Sequence, residues 1–225
     1  MLDRLIALDQ QFTLSLNGSD NLFLDGIASV ATSTVTWLPV GLVLLYVLFR
    51  NNSLRNVGFV VLALGLCILL ADQVASGICK PLFERYRPAQ DPSLMYMVDI
   101  VDGYRGGRYG FFSSHAANTF SVAVFLSFLI RNRAAGFALF SWALLNCWTR
   151  VYLGVHYLGD LLVGCLWGSL VAVIIYFLYK KIAKVEINTS HCVDTQTVSG
   201  YLINDVYLLV SVLLMTYIYV IISGL

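Results

Sequence analysis

Charged residues are scarce in this chain. Of its 225 residues 12% are charged and 59% are hydrophobic, and lysine plus arginine nearly balance aspartate plus glutamate, at 14 and 13. Because no basic tract occurs, we expect no nucleic-acid partner. The apolar share exceeds the ~45–50% of soluble domains, and the mean hydropathy is +0.78. The composition therefore predicts a membrane protein.

Cysteine is infrequent as well, and its spacing is irregular. The five cysteines are Cys67, Cys79, Cys147, Cys165 and Cys192, and four of them lie within or beside apolar stretches. This pattern indicates neither a disulfide framework nor a metal site. The first residues also lack the basic, apolar and small-residue order of a cleavable signal. We expect the cysteines to pack as small apolar side chains.

Long apolar runs dominate the rest of the sequence. They cover residues 22–49, 57–79, 112–130, 134–148, 157–179 and 206–222. Each is close to the about 20 residues that span a bilayer, although the fourth is long enough only if its helix continues through Arg150 and Val151. None alternates in the manner of a membrane-barrel strand. The prediction is an all-α, polytopic bundle of six transmembrane helices that forms a single domain over residues 1–225.

Ahead of the first run, apolar and polar residues recur at helical spacing. Leu5, Leu8 and Phe12 stand among polar residues such as Asp3 and Asp9. The pattern predicts a short amphipathic helix that lies in the membrane interface.

Three polar clusters lie at the ends of the apolar runs. They occupy residues 80–88, 113–115 and 150–160, and an even number of helix crossings separates them. All three should therefore meet on one face of the membrane. The first cluster begins a 32-residue loop, residues 80–111, that is rich in glycine, arginine and tyrosine, and loops of this length are often functional. We expect Glu84 and Arg85 within it to face lipid headgroups.

The third cluster contains a histidine and a carboxylate at helical spacing. Asp160 follows His156 by four residues, so on one helix both would project from the same face. A carboxylate can fix the imidazole tautomer and leave the other nitrogen free to attack. A histidine and a carboxylate at this spacing are equally typical of a polar contact between helices. Arg150 favours a phosphate site, because guanidinium donors match phosphate oxygens and a cation at the bilayer edge is costly.

The first two clusters could complete such a site. Lys80 and Arg87 are seven residues apart and would return to nearly the same face of a helix, although snorkelling interfacial cations are the alternative. Ser113 or Ser114 could cap a helix whose free N–H groups bind an anion. His115 beside that terminus could protonate a leaving oxygen.

In these clusters the chain resembles the type 2 phosphatidic acid phosphatases, integral membrane lipid phosphatases related in fold to vanadium haloperoxidases. The family's first motif, a lysine, six residues and Arg-Pro, matches Lys80 through Arg87-Pro88. The second, Pro-Ser-Gly-His, and the third, Ser-Arg, five residues, His, three residues and Asp, match residues 112–115 and 149–160. The departures are Phe112 for proline, Ser114 for glycine and Thr149 for serine. The resemblance covers roughly residues 22–180, and the last helix, about 202–223, lies outside it.

The resemblance implies hydrolysis of a phosphoric monoester in two steps, with no metal and no cofactor. His156 would attack phosphorus while Asp160 orients it, and His115 would protonate the leaving oxygen and then activate water. The expected phosphate-binding residues are Lys80, Arg87, Ser113, Ser114 and Arg150.

The long loop favours a bulky sugar headgroup, with Arg105 and Arg108 as possible headgroup contacts or solvated loop charges. We therefore expect lipid A as substrate, and undecaprenyl diphosphate, phosphatidylglycerophosphate and phosphatidic acid as alternatives. The partners expected are the lipid phosphate and the bilayer, without an obligate protein partner.

The cations of the loops decide the orientation only indirectly. The loops at 50–56, 131–133 and 180–200 carry seven cations, as many as the opposite side. Lys80, Arg87 and Arg150 belong to the candidate site. Without them the loops at 50–56, 131–133 and 180–200 carry more cations than the opposite side, which places these loops in the cytoplasm. We expect a bacterial inner-membrane protein whose active site faces the periplasm.

Two other classes of protein remain possible from the residues alone. A transporter would place ionisable groups near the middle of the bilayer on broken helices, and Asp72, inside the second run, is the feature that fits. A non-catalytic lipid-binding protein would need neither His156 nor its carboxylate partner.

Overall fold

The computed structural model describes residues 2–18, 21–184 and 195–225. Within these ranges the fold is all-α, and the bridges Tyr86–Tyr109 and Gln196–Leu202 are isolated pairs outside any strand. The all-α prediction is confirmed. Part of the loop 180–200, with Cys192, lies outside the described residues.

Nine α-helices occur in the described ranges. They are α1 (Leu2–Leu16), α2 (Leu22–Thr32), α3 (Leu38–Asn51), α4 (Leu54–Asp72), α5 (Lys80–Phe83), α6 (Ser114–Ile130), α7 (Arg133–Tyr152), α8 (Leu158–Ala183) and α9 (Ile203–Ser223). Four stretches are long and apolar enough to cross a membrane, namely Thr34–Asn51, Leu54–Phe83, Leu158–Ala183 and Ile203–Ser223. The apolar helices α2 and α6 are shorter, so the number of six spans stays a prediction.

The first apolar run is not one helix, contrary to the expectation for residues 22–49. The chain leaves α2 at Ser33, which has extended backbone angles, and a 3₁₀ turn covers Thr34–Trp37 before α3. Two side chains from this turn satisfy carbonyls at the end of α2. Thr36 Oγ1 donates to Val30 O at 2.7 Å, and Trp37 Nε1 donates to Ala31 O at 2.9 Å. The fourth run, in contrast, does continue as a helix through Arg150 and ends at Tyr152.

Helix α6 forms the centre of the bundle and packs against α4, α7 and α8. Glycines on α8 allow the closest of these approaches. A Cβ at Gly164 would lie 2.6 Å from Ser113 O, and one at Gly168 would overlap the carbonyl of Ala117. Small residues let membrane helices pack by backbone contact. The position of α8 relative to the start of α6 is thereby fixed.

The opposite end of the bundle is held by polar contacts to α9. Asn51 Nδ2 donates to Asp205 Oδ2 at 2.9 Å, and Asn52 Nδ2 donates to Tyr201 Oη at 3.0 Å. From there α9 runs back along α3. Just beyond its end, Gly224 lies so close to Gly26 of α2 that a Cβ added at Gly26 would be 2.8 Å from Gly224 Cα. The last helix is therefore packed into the bundle.

The predicted amphipathic helix is present as α1, and the face that contacts the rest of the protein carries Asp9, Thr13 and Leu14. Thr13 is buried, and Asn17, just beyond the helix, donates to Tyr152 O at 2.8 Å. The apolar side chains on the other face are exposed: Leu5, Ile6, Leu8, Phe12 and Leu16. Helix α1 thus lies at the end of the bundle that also holds the start of α8.

Candidate active site

The three polar clusters meet at one end of the bundle, as predicted. Backbone contacts tie them together. Ser113 N, ahead of α6, donates to Asp160 O in the first turn of α8 at 3.1 Å. His156 N donates to Arg150 O at 3.3 Å across the turn between α7 and α8. The imidazole of His115 interacts electrostatically with four side chains of the other clusters, namely Arg150, His156, Arg87 and Lys80.

Two local expectations about helix geometry are wrong. Helix α5 ends at Phe83, and Glu84 has a left-handed φ of 45°, so Lys80 and Arg87 do not share a helix face. Similarly, His156 lies before α8, which begins at Leu158. The groups still converge because the intervening turns fold back on the bundle.

His156 and Asp160 form a buried pair with 1% and 0% side-chain exposure. Nδ1 of His156 lies 3.4 Å from Oδ2 of Asp160, and it has no hydrogen bond of ordinary geometry to any described residue. The same carboxylate oxygen accepts from Tyr157 N at 3.1 Å. Asp160 therefore faces the Nδ1 side of the ring, which leaves Nε2 as the nitrogen available for an incoming group.

The imidazole of His156 is neutral near pH 7. The pKa of His156 is lowered to about 4, chiefly by burial, with Asp160 opposing this change and the charges of Arg87 and Lys80 adding to it. A neutral imidazole has the lone pair that a nucleophile needs. The pair is thus poised for attack before a ligand arrives.

The cations of the site are held by neutral groups. Arg150, at 2% exposure, donates from Nη2 to Thr32 Oγ1 and from Nε to Thr149 Oγ1 at 3.2 Å. Arg87 Nε donates to Tyr109 O at 3.2 Å. Because neutral acceptors leave the positive charge of a guanidinium uncancelled, the cluster attracts an anion.

The two serines of the second cluster have different contacts. Ser113 is fully buried, and its Oγ accepts from Ala116 N at 3.4 Å, so it caps α6. Ser114 Oγ instead accepts from Lys80 Nζ at 2.7 Å. The hydroxyl that replaces glycine in the family motif therefore holds the lysine of the first motif.

Asp72 is connected to the same network through Ser76. Its Oδ1 accepts from Ser76 Oγ at 3.3 Å, and Ser76 Oγ accepts from Lys80 Nζ at 3.0 Å. The segment Gln73–Cys79 is a π-helix, a feature that often occurs at functional sites. The spacing of Asp72, Ser76 and Lys80, four residues each, was the sequence signal for this chain of contacts.

The long loop folds over the site and positions its rim. Arg105 Nη1 donates to Ala89 O at 2.9 Å, and Arg108 Nη2 donates to Tyr86 Oη at 2.9 Å. Gly106, with φ of 63°, passes so close to the guanidinium of Arg87 that a Cβ would lie 2.5 Å from Nη1. Arg105 and Arg108 thus lie around the rim, outside the buried pair.

Arg85, which the sequence predicted to face lipid headgroups, forms ion pairs with two aspartates of the protein. Arg85 Nη1 donates to Asp160 Oδ1 at 2.8 Å, and Arg85 Nη2 donates to Asp9 Oδ2 at 2.7 Å. No local pattern indicates these contacts, since the partners are 75 and 76 residues away. Among the described residues, no group of three or more His, Cys, Asp or Glu side chains could hold a metal ion.

Comparison with known proteins gives one family match and two similar relatives. The sequence pattern of the PAP2 superfamily matches residues 56–184. A lipid A 4'-phosphatase of Bacteroides thetaiotaomicron is 37% identical over 191 residues, which cover 84% of this chain and 85% of the relative. A lipid A 4'-phosphatase of Porphyromonas gingivalis is 33% identical over 178 residues, covering 79% of this chain and 75% of the relative. No solved structure matches the chain significantly. Since the family pattern covers more than half of its length, the chain belongs to the PAP2 superfamily.

Proposed function

We propose that this protein is a membrane lipid phosphatase that removes the 4'-phosphate of lipid A. The observation that carries the proposal is the buried, neutral His156 beside Asp160, next to Lys80, Arg87 and Arg150. The choice of lipid rests on the two relatives that carry this activity in their names.

In the first step, the phosphate dianion binds among the three cations, and Nε2 of His156 attacks phosphorus. An N–P bond forms as the bond between phosphorus and the sugar oxygen breaks, and a protonated His115, whose positive charge the bound dianion stabilises, donates its proton to that oxygen. Asp160, on the Nδ1 side, stabilises the positive imidazole ring that results. Phosphoryl transfer depends chiefly on positioning and on neutralising the transferred oxygens, which suits a site with three cations.

In the second step, water attacks the phosphohistidine. His115, which gave up its proton in the first step, accepts one from the water, and the N–P bond breaks to return the neutral His156. Phosphate and the dephosphorylated lipid leave. Water is the only co-reactant, and the proton balance closes over the two steps.

The location of the site favours a lipid substrate presented from one leaflet. The reacting groups lie at one end of the apolar helices, on the side where α1 exposes Leu5, Phe12 and Leu16. We place the protein in a bacterial inner membrane with this end towards the periplasm, because once Lys80, Arg87 and Arg150 are set aside the loops at the other end carry more cations. Helix α9 belongs to the same single domain in this proposal.

Phosphate release by the detergent-purified protein tests the proposal. Lipid A with phosphates on both sugars, undecaprenyl diphosphate, phosphatidylglycerophosphate and phosphatidic acid serve as substrates, with a chelator present throughout. Mass spectrometry of the product locates the missing phosphate. We expect removal of the 4'-phosphate of lipid A and no release by folded His156→Ala protein. Turnover by His156→Ala would refute the covalent mechanism, and preference for another lipid would refute the substrate.

A further inference from the structure

A second arginine contacts the catalytic carboxylate. Arg85 lies in the long loop, and its two terminal nitrogens bridge two aspartates, Asp160 Oδ1 at 2.8 Å and Asp9 Oδ2 at 2.7 Å. Its guanidinium also lies over the ring of Tyr157, 4.0 Å from the centroid. Although burial lowers the pKa of Arg85, Asp160 and Asp9 raise it above its ordinary value, so the side chain is firmly cationic.

Helix α1 caps the helix that carries Asp160. The first backbone N–H groups of α8 lack partners within the helix, and side chains of α1 supply them. Leu158 N donates to Thr13 Oγ1 at 3.0 Å, and Gly159 N donates to Asp9 Oδ1 at 2.8 Å. A Cβ at Gly159 would lie 2.8 Å from Asp9 Oδ2. The carboxylate of Asp9 is therefore seated directly on the first turn of α8.

Each oxygen of the Asp160 carboxylate has one donor. Oδ1 accepts from Arg85, and Oδ2 accepts from Tyr157 N at 3.1 Å. These two contacts fix the plane of a group that is fully buried. The contact to His156 at 3.4 Å is longer than either, so the orientation of Asp160 is set by Arg85 and the backbone before it acts on the imidazole.

The charges of the group explain why Arg85 has a second partner. A lone cation on Asp160 would cancel the negative field that stabilises a positive His156 ring. With Asp9 included, two carboxylates face one guanidinium, and the group keeps a net negative charge beside His156. Asp9 thus compensates Arg85, while Arg85 orients Asp160.

We infer that Asp9 and Arg85 are positioning residues for the reaction, and that α1 is a component of the active site through them. This inference rests on the proposed function, because it assigns the two residues to the His156 chemistry. A purely structural salt bridge would anchor α1 to the loop without any effect on the protonation of His156. The two interpretations therefore differ in an observable of His156 itself.

That observable is the pKa of His156, which we expect to shift in opposite directions when Arg85 and Asp9 are replaced. His156 faces Asp160, Arg87 and Lys80, and His115 interacts with it from α6. Arg85→Gln removes a cation next to Asp160, so the charged imidazole is favoured and its pKa rises. Asp9→Asn removes an anion but keeps an oxygen for Gly159 N, so the pKa falls.

The experiment uses the full-length protein in detergent with isotope-labelled histidine. The sequence has three histidines, so NMR titration resolves few signals, and His156→Gln protein assigns the relevant one. Asp3→Asn is the matched control for Asp9→Asn, since Asp3 is an exposed aspartate on α1. Arg4→Gln, exposed on the same helix, is the control for Arg85→Gln. Inhibition by inorganic phosphate and thermal unfolding report whether each variant keeps its fold and its cations.

We expect opposite shifts of the His156 signal in Asp9→Asn and Arg85→Gln, and no shift in either control. With lipid A, kcat should fall roughly 10-fold or more in both variants, in the range seen when groups that orient a functional histidine are removed. KM and the inhibition constant of phosphate should stay within about threefold, because the three cations are untouched. Shifts in the same direction, or unchanged kcat in folded variants, would overturn the inference. Absence of turnover by the unmodified protein would count against the proposed function instead.

Discussion

Replacing Arg150 by lysine keeps the positive charge of the site and removes its planar donors. Arg150 is nearly fully buried, and its guanidinium already donates to Thr32 and Thr149 and interacts with Tyr104. A guanidinium carries more N–H donors than these contacts use, so donors remain for phosphate oxygens. A lysine at this position offers a single point of charge, and it cannot contact both threonines and the substrate in the same geometry.

The expected cost follows from the hydrogen bonds that lysine cannot make. One hydrogen bond to a charged group contributes about 1.5–3 kcal/mol, which corresponds to roughly a 10- to 150-fold decrease in kcat/KM. We therefore expect Arg150→Lys to lower kcat/KM by at least about 10-fold. Because the charge is retained, thermal stability should change less than activity.

The assay is phosphate release from lipid A by detergent-purified protein under subsaturating conditions. Arg133→Lys is the matched control, since Arg133 begins the same helix and is exposed. The control should keep the activity of the unmodified protein. If kcat/KM of folded Arg150→Lys protein decreased by less than about threefold, planar donation by Arg150 would not contribute to catalysis as argued.

Two further predictions concern protonation and packing. Because the pKa of His156 is lowered to about 4, its NMR signal should stay that of a neutral ring down to pH 5, and a titration near pH 6.5 would contradict the burial argument. In the unfolded chain His156 binds its proton near pH 6.5, so its contribution to stability is complete above that pH and is lost progressively as the pH falls towards 4. Gly168→Ala should lower the free energy of unfolding by about 1–3 kcal/mol, because the added methyl group overpacks against Ala117. Gly65→Ala, where a Cβ meets nothing within 4 Å, is the control, and equal stability of the two variants would show that α6 and α8 do not depend on the close approach.

The sequence predicted the all-α fold and the convergence of the three polar clusters, because both leave local signals. The length of an apolar run indicates whether its helix can span the membrane. A cation or histidine within or beside such a run is energetically costly, which marks it as a candidate functional residue. The break at Ser33 was missed, since its cause is a pair of side-chain contacts from Thr36 and Trp37 to the end of α2. Because apolar residues continue on both sides of that turn, the hydropathy pattern does not indicate a break in the helix.

The contacts around Asp160 could not be predicted for a different reason. Arg85 and Asp9 reach it through the tertiary fold, and neither residue has a spacing that relates it to Asp160. The assumption that Lys80 and Arg87 share a helix failed at Glu84, which adopts a left-handed conformation. Motif spacing therefore identified which residues meet, whereas the turns that bring them together are decided by packing.

The contact between Asp9 and Gly159 joins positions 150 residues apart. During synthesis α1 is made well before α8, so Thr13 and Asp9 lack these partners until the first turn of α8 has formed. A growing chain that ends before Leu158 carries all three cations and both active-site histidines, but it lacks Asp160. In the proposed mechanism, such a product has the nucleophile without the carboxylate that orients it. The proposed reaction therefore requires a chain that extends past the first turn of α8, when most of the bundle has been synthesised.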